Sequence, residues 1–297
     1  MKIAAYALMP LFLLVLLVSL ACVFGYGLLL AAGDIVALDK LISKSTQFFL
    51  ILCIFPLKKH LKFSWTDLGF APVSIFFQQI LQGFLLGLLT LMPVILTLYM
   101  LDVQIIDETK NWTIGKIAEK IGLGLLLSLL IGLFEEILFR GLLLTSLKQK
   151  ISGLAAILVS SFYYAGLHFL KSKTSIPYQE LSFSSGFKLM AEAFSNCFNP
   201  EIFGAFVSLL AVGIFLATLR SHIPQSLGLC IGCHCGWVWQ IKTSKELFNV
   251  NPQSDYLYLV SNYDGVIGPL VSCWLGLAIL AYYLFNRRSA AWQLKSL

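Results

Sequence analysis

Five residues of the 297-residue chain have side chains suited to bond-breaking chemistry: Glu135, Glu136 and Arg140 in "FEEILFRG", His168 in "YAGLH" and His234 in "CIGCHC". A carboxylate that takes a proton from water, imidazoles that relay one and a permanently charged guanidinium suffice for general-base hydrolysis of an amide. Glu136 and Arg140, four residues apart, share one stripe of a helix, whereas Glu135 is turned about 100° from its neighbour. The spacing predicts that one carboxylate is tied to the guanidinium while the other works. Arg140 would hold Glu136 ionised and oriented, leaving Glu135, less compensated, to act on water; the reverse assignment stays open. A purely structural alternative, an ion pair plus two histidines satisfied by carbonyls, leaves Glu135 without a partner.

The stretch around His234 offers two other chemistries by spelling. Cys230, Cys233 and His234 form C-x-x-C-H, the attachment pattern of a c-type haem, and three thiols beside an imidazole suggest zinc. Both readings conflict with the setting. Haem attachment needs an aqueous segment, whereas this one is apolar, and on a helix Cys233, His234 and Cys235 point about 100° apart. Gly228, Gly232 and Gly236 recur every fourth residue. Such a ridge of small residues lets a neighbouring backbone approach closely.

The elements that position these residues follow from composition. Hydrophobic residues make up 58% of the chain and charged ones 12%, against roughly 45–50% and 25% in soluble proteins. This composition predicts an all-α, polytopic membrane protein. Apolar stretches of about 20 residues fall at 4–32, 41–57, 73–101, 117–147, 151–170, 202–220, 224–241 and 266–286, giving about eight transmembrane helices. The apolar run of the first is about twice a secretory h-region, so it reads as a span. The seven cysteines are odd in number and mostly lie in apolar runs, which argues against a disulfide framework. The net charge of +6 is that of basic loops, and nucleic acid is not an expected partner.

Those loops alternate. "KKHLK" (58–62), "KQK" (148–150), "RSH" (220–222) and the tail are basic, whereas 102–108 and 242–264 are acidic or mixed. The positive-inside rule then places both termini in the cytoplasm. All five polar residues lie in the fourth, fifth and seventh spans, so the expected site is between helices 4, 5 and 7. Charges inside spans are costly and read as functional. At 1.5 Å per residue, Glu135 lies roughly 18 Å, His234 about 15 Å and His168 about 26 Å from the cytoplasmic ends of their helices. The site is thus expected near the midplane, with His168 towards the outer leaflet. A proton-coupled transporter would show repeats with paired broken helices, and only Pro93 interrupts a span.

Together the three motifs resemble those of the CPBP family of intramembrane proteases, which includes CAAX prenyl endopeptidases, bacteriocin-processing and Abi-like proteins. "FEEILFRG" (134–141) matches E-E-x-x-x-R, "YAGLH" (164–168) matches F-x-x-x-H with Tyr164 for Phe, and "HCGWV" (234–238) matches the histidine-bearing third motif. The resemblance covers roughly 115–285, dividing the chain into N-terminal helices (1–115) and a protease core (116–290). It implies peptide hydrolysis within the bilayer by water activated at Glu135 with help from His168, supported by Glu136 and Arg140, with His234 stabilising the oxyanion. The implied partners are the lipid bilayer and a membrane-associated peptide or protein substrate, and the implied location is a prokaryotic cell membrane. No cofactor is expected, although zinc through His168 and His234 is the alternative. Where the family often has a second oxyanion donor, Asn, this chain has Val238. Either Trp237, Trp239 or a backbone group substitutes, the enzyme is slow, or the protein is a non-catalytic scaffold or immunity factor.

Overall fold

The computed structural model describes residues 2–110 and 112–295, with side chains described within 5–284. Helices dominate, and five of them have the length and apolarity to cross a membrane: Ala5–Ala32, Leu38–His60, Val73–Met100, Ile114–Lys148 and Pro200–His222. Their outward faces carry exposed Phe12, Leu16, Leu89 and Ile114. Contiguous apolar surface of this kind belongs in lipid, and the chain is an integral membrane protein. Three further expected spans are helices with a different character. Gly153–Leu167 and Pro269–Leu284 are apolar but shorter. The segment read as 224–241 is helix Leu227–Leu247, whose glycines and polar residues suit a surround of protein more than one of lipid.

In chain order the helices are α1 (Lys2–Ala32), α2 (Leu38–Leu52), α3 (Ile54–His60), α4 (Val73–Met100) and α5 (Ile114–Glu136). They continue with α6 (Leu144–Lys148), α7 (Gly153–Leu167), α8 (Ser185–Asn196), α9 (Phe203–His222), α10 (Leu227–Leu247) and α11 (Pro269–Lys295). A π-helical turn, Ile137–Leu143, joins α5 to α6. Two three-residue strands, β1 (Gln104–Ile106) and β2 (Phe248–Val250), pair antiparallel with Gln104 opposite Val250.

α10 is the central element, packed on α4 and α5, while α7 and α11 lie on α9. The glycine ridge fixes the α4–α10 approach. A Cβ on Gly232 would run into the carbonyl of Ile80, and one on Gly83 into that of Leu229, so the two backbones touch directly. The three cysteines of the segment are free and buried, and Cys230 donates to the Leu216 carbonyl at 3.5 Å. They pack as small apolar residues.

Two features depart from the sequence reading. The fifth span ends at Leu167, after 15 residues. At 1.5 Å per residue that is about 22 Å, less than the ~30 Å hydrocarbon core, so His168 begins a non-helical stretch. The connection 171–199 contains α8, an amphipathic helix whose Leu189 joins Leu14, Val18, Cys22, Leu38 and Ile42 in a core shared with α1 and α2.

Candidate active site

The two carboxylates separate as their spacing predicts. Glu136 is fully buried and its Oε1 accepts from Arg140 Nη1 at 2.8 Å, across one turn. His234 Nδ1 lies 2.8 Å from the same oxygen. Arg140, 1% exposed, also donates from Nη2 to the carbonyl of Gly213 at 3.3 Å. That carbonyl is within reach because a Cβ at Gly213 would press on Ser161, which places α9 directly against α7. Glu135 has the opposite setting. Its side chain is 32% exposed and its Oε2 is 3.8 Å from His234 Nε2; that oxygen, like Oε2 of Glu136, has no hydrogen-bond partner.

The π-helical turn begins immediately after this pair. Its widened pitch, marked by the bond from Leu144 N–H to the Phe139 carbonyl, also exposes that carbonyl to Ser160 Oγ at 3.2 Å. Such turns recur at functional sites because they re-aim side chains without ending the helix. Hydrophobic periodicity of 3.6 does not reveal it, and the sequence reading missed it.

His168 caps the C-terminus of α7, with Nδ1 2.8 Å from the Tyr164 carbonyl. Tyr164 is the aromatic hub: its ring meets those of His168 at 4.8 Å and His234 at 6.0 Å, edge-on, and Phe139 at 5.2 Å. The Arg140 guanidinium lies 4.3 Å from the same ring centre, a cation–π contact.

Two cavities meet here. The larger, about 720 Å³, is lined by Glu135, His168 and Tyr263 on one side and by residues of α1, α2 and α8, among them Val18, Ile42 and Met190, on the other. The smaller, about 430 Å³, is lined by Tyr164, His168, His234, Val238 and Tyr263. His168 and Tyr263 belong to both. All five residues singled out in the sequence thus meet around this junction, with Glu135 and the two imidazoles on the cavity walls and Glu136 and Arg140 behind them. Tyr263 and the Gly213 carbonyl were not anticipated. Tyr263 lies in the connection before α11, where nothing in its local sequence marks it.

Two of the alternatives find no matching arrangement of side chains. Trp237 Nε1 donates to Thr90 Oγ1 at 2.8 Å and Trp239 Nε1 to the Ile121 carbonyl at 3.3 Å, so neither indole is free to stand in for an amide at Val238. Among the described residues, no group of three His, Cys, Asp or Glu side chains is placed to hold a metal. Glu136, which binds one imidazole, is turned to Arg140, and the cysteines are dispersed around α10. The donors present therefore do not fit a zinc site.

No curated protein and no solved structure matches the chain. A family model does: the type II CAAX prenyl endopeptidase Rce1-like family, over residues 117–240. That segment runs from α5 to α10 and contains Glu135, Glu136, Arg140, His168 and His234. Over this segment, somewhat less than half of the chain, the protein is similar to the type II CAAX prenyl endopeptidases.

Proposed function

We propose that the protein is an intramembrane endopeptidase that hydrolyses a peptide bond of a membrane-associated precursor with water activated by Glu135. The observation that carries this reading is Glu135, whose side chain is a third exposed on the wall of the cavity that His168 also lines and whose enclosed Oε2 lies, without a hydrogen-bond partner, beside His234 Nε2. Glu135 takes the proton from water and delivers it to the leaving amine, the exchange a general base and then acid performs. His168 orients that water. The Tyr164 carbonyl can only accept, so it requires a proton on His168 Nδ1 and leaves Nε2 as an acceptor for a water O–H. Glu136 and Arg140 hold His234 in place beside Glu135. No step draws on a metal ion.

The N-terminal helices (1–115), with α8 of the core, would supply the far wall of the larger cavity, and the rest of the core (116–290) the chemistry. That far wall combines apolar Val18, Ile42 and Met190 with polar Asp39, Lys40 and Lys44, which suits a substrate segment that runs from the bilayer to its polar edge. The proposed setting is a prokaryotic cell membrane with both termini cytoplasmic, and the substrate a leader peptide or sorting tail of a membrane-anchored precursor.

A non-catalytic scaffold has one observation in its favour, the absence of an amide donor at Val238. The membrane proteome of a deletion strain, complemented with either wild type or Glu135→Gln, separates the two. The protease reading expects uncleaved precursors in the deletion strain and with Glu135→Gln, and mature forms with wild type. A precursor pattern restored equally by both would leave the scaffold.

A further inference from the structure

Hydrolysis by Glu135 needs a hydrogen-bond donor for the carbonyl oxygen as it becomes an oxyanion, and the tautomers of the two histidines restrict where one can come from. His168 Nδ1 faces the Tyr164 carbonyl and His234 Nδ1 faces the Glu136 carboxylate, each at 2.8 Å. A singly protonated imidazole therefore carries its proton on Nδ1 in both cases, with a lone pair at Nε2. Neither histidine donates into the cavity unless it is doubly protonated. Val238 has no polar group, and the Trp237 and Trp239 indoles are bonded elsewhere.

Tyr164 lines the same 430 Å³ cavity as His234 and Val238. The residue is 2% exposed, so the surface it retains is what it presents to this cavity. Among the described residues the hydroxyl also has no hydrogen-bond partner. The ring is held on several sides, by Phe139, His168, His234 and the Arg140 guanidinium. Tyr263 borders the cavity too, but it is 41% exposed and comes from a connecting segment, and Lys171, Lys242 and Lys245 on the same lining carry their ammonium groups on flexible four-carbon stems. Donors fixed before reaction cost no reorganisation when charge develops, which favours the clamped ring.

We propose that the Tyr164 hydroxyl is the oxyanion donor of this site. Water attacks the carbonyl carbon as its proton passes to Glu135. The π electrons of the carbonyl move onto its oxygen, which accepts a hydrogen bond from the Tyr164 O–H. On collapse the C=O re-forms, the C–N bond breaks and the proton on Glu135 goes to the departing amine. The tyrosine keeps its own proton throughout. This inference rests on the protease reading above, and its test separates the two.

The test is Tyr164→Phe in the full-length protein in lipid nanodiscs, with Glu135→Gln and Tyr263→Phe alongside, on a precursor identified from the deletion strain. The change removes one oxygen that has no protein partner, so folding is retained. Turnover should fall about 10²- to 10³-fold, the usual effect of losing one oxyanion donor, with KM within about threefold and the pH profile unchanged in shape, because a neutral hydroxyl does not titrate in that range. A packing role would instead shift the limbs of the profile through the two imidazoles that the ring touches. Turnover within twofold of wild type, a loss confined to KM, a displaced pH limb, or a larger loss from Tyr263→Phe than from Tyr164→Phe would each overturn the proposal. Full activity of Glu135→Gln would remove the protease reading itself.

Discussion

Glu135 and Glu136 are adjacent in sequence and occupy two different media. Glu136 is sealed between Arg140 and His234 with no exposed surface, whereas a third of Glu135 faces a cavity; in each, one oxygen, Oε2, lacks a hydrogen-bond partner. One residue of helical rotation, about 100°, separates them. In a buried ion pair the carboxylate charge is answered by its cation and is not free to act on water, although Glu136 Oε2 and Arg140 Nε here have no hydrogen-bond partner of their own. The neighbouring carboxylate on the cavity wall inherits the rigidity of that pair without sharing its neutralisation. The histidines repeat the division. His234 is fixed from the closed side by Glu136, and His168 sits at a helix end where two cavities meet.

If the closed side is structural, removing its cation should be the most damaging change. Arg140→Ala leaves Glu136 buried and uncompensated, a loss of about 3–5 kcal/mol, to be read as a lower unfolding temperature and a fall in folded yield. Wild-type yield and stability in this variant would show that the two sides differ less than their burial indicates. Gly232→Ala acts on the same side through α10, since the new methyl group meets the Ile80 carbonyl, backbone that cannot rotate away. Overpacking of this kind costs about 1–3 kcal/mol. Thermal unfolding should show it together with a partial loss of turnover as His234 is displaced, and an unchanged transition would remove α10 from the support of the site.

The smallest effect is expected on the open side, at the stretch after His168. Glu192 of α8 accepts from Ser172 Oγ at 2.6 Å, Lys173 N at 2.9 Å and Thr174 N at 3.2 Å. These bonds, led by that from the Ser172 hydroxyl, hold its carboxyl down at about 2, below the ordinary ~4.3. A depressed folded-state value means that the latch is complete above the unfolded value and is lost as pH falls towards about 2. Glu192→Ala should speed amide exchange at Lys173 and Thr174 at neutral pH, and wild type should approach that rate only in acid. Equal exchange in the two proteins at neutral pH would show that the latch does not order this segment.

The closed side was the more legible in the sequence, and for a physical reason. Glu136 and Arg140 are joined by local helical geometry, and charges in an apolar span require partners, so their pairing follows from spacing alone. The glycine ridge of α10 is likewise a local repeat, and the structure shows it meeting α4. The open side depends on where helices stop and which connections fold back. The end of α7 at Leu167, the π-helical turn at 137–143, α8 and the arrival of Tyr263 are set by tertiary packing, and apolar length overestimates a span that ends beside a cavity. The expected eight spans accordingly comprise five long apolar helices, two shorter ones and a protein-enclosed α10.

The central claim is that adjacent carboxylates divide catalysis from support. The most direct measurement compares Glu135→Gln and Glu136→Gln as purified proteins in nanodiscs, recording turnover per folded molecule and thermal unfolding on the same preparations. The account predicts that Glu135→Gln unfolds as wild type does while turnover falls about 10²- to 10⁴-fold, the range for a lost general base, and that Glu136→Gln unfolds at markedly lower temperature. Full turnover in Glu135→Gln, or a Glu136→Gln protein as stable as wild type but inactive, would contradict it.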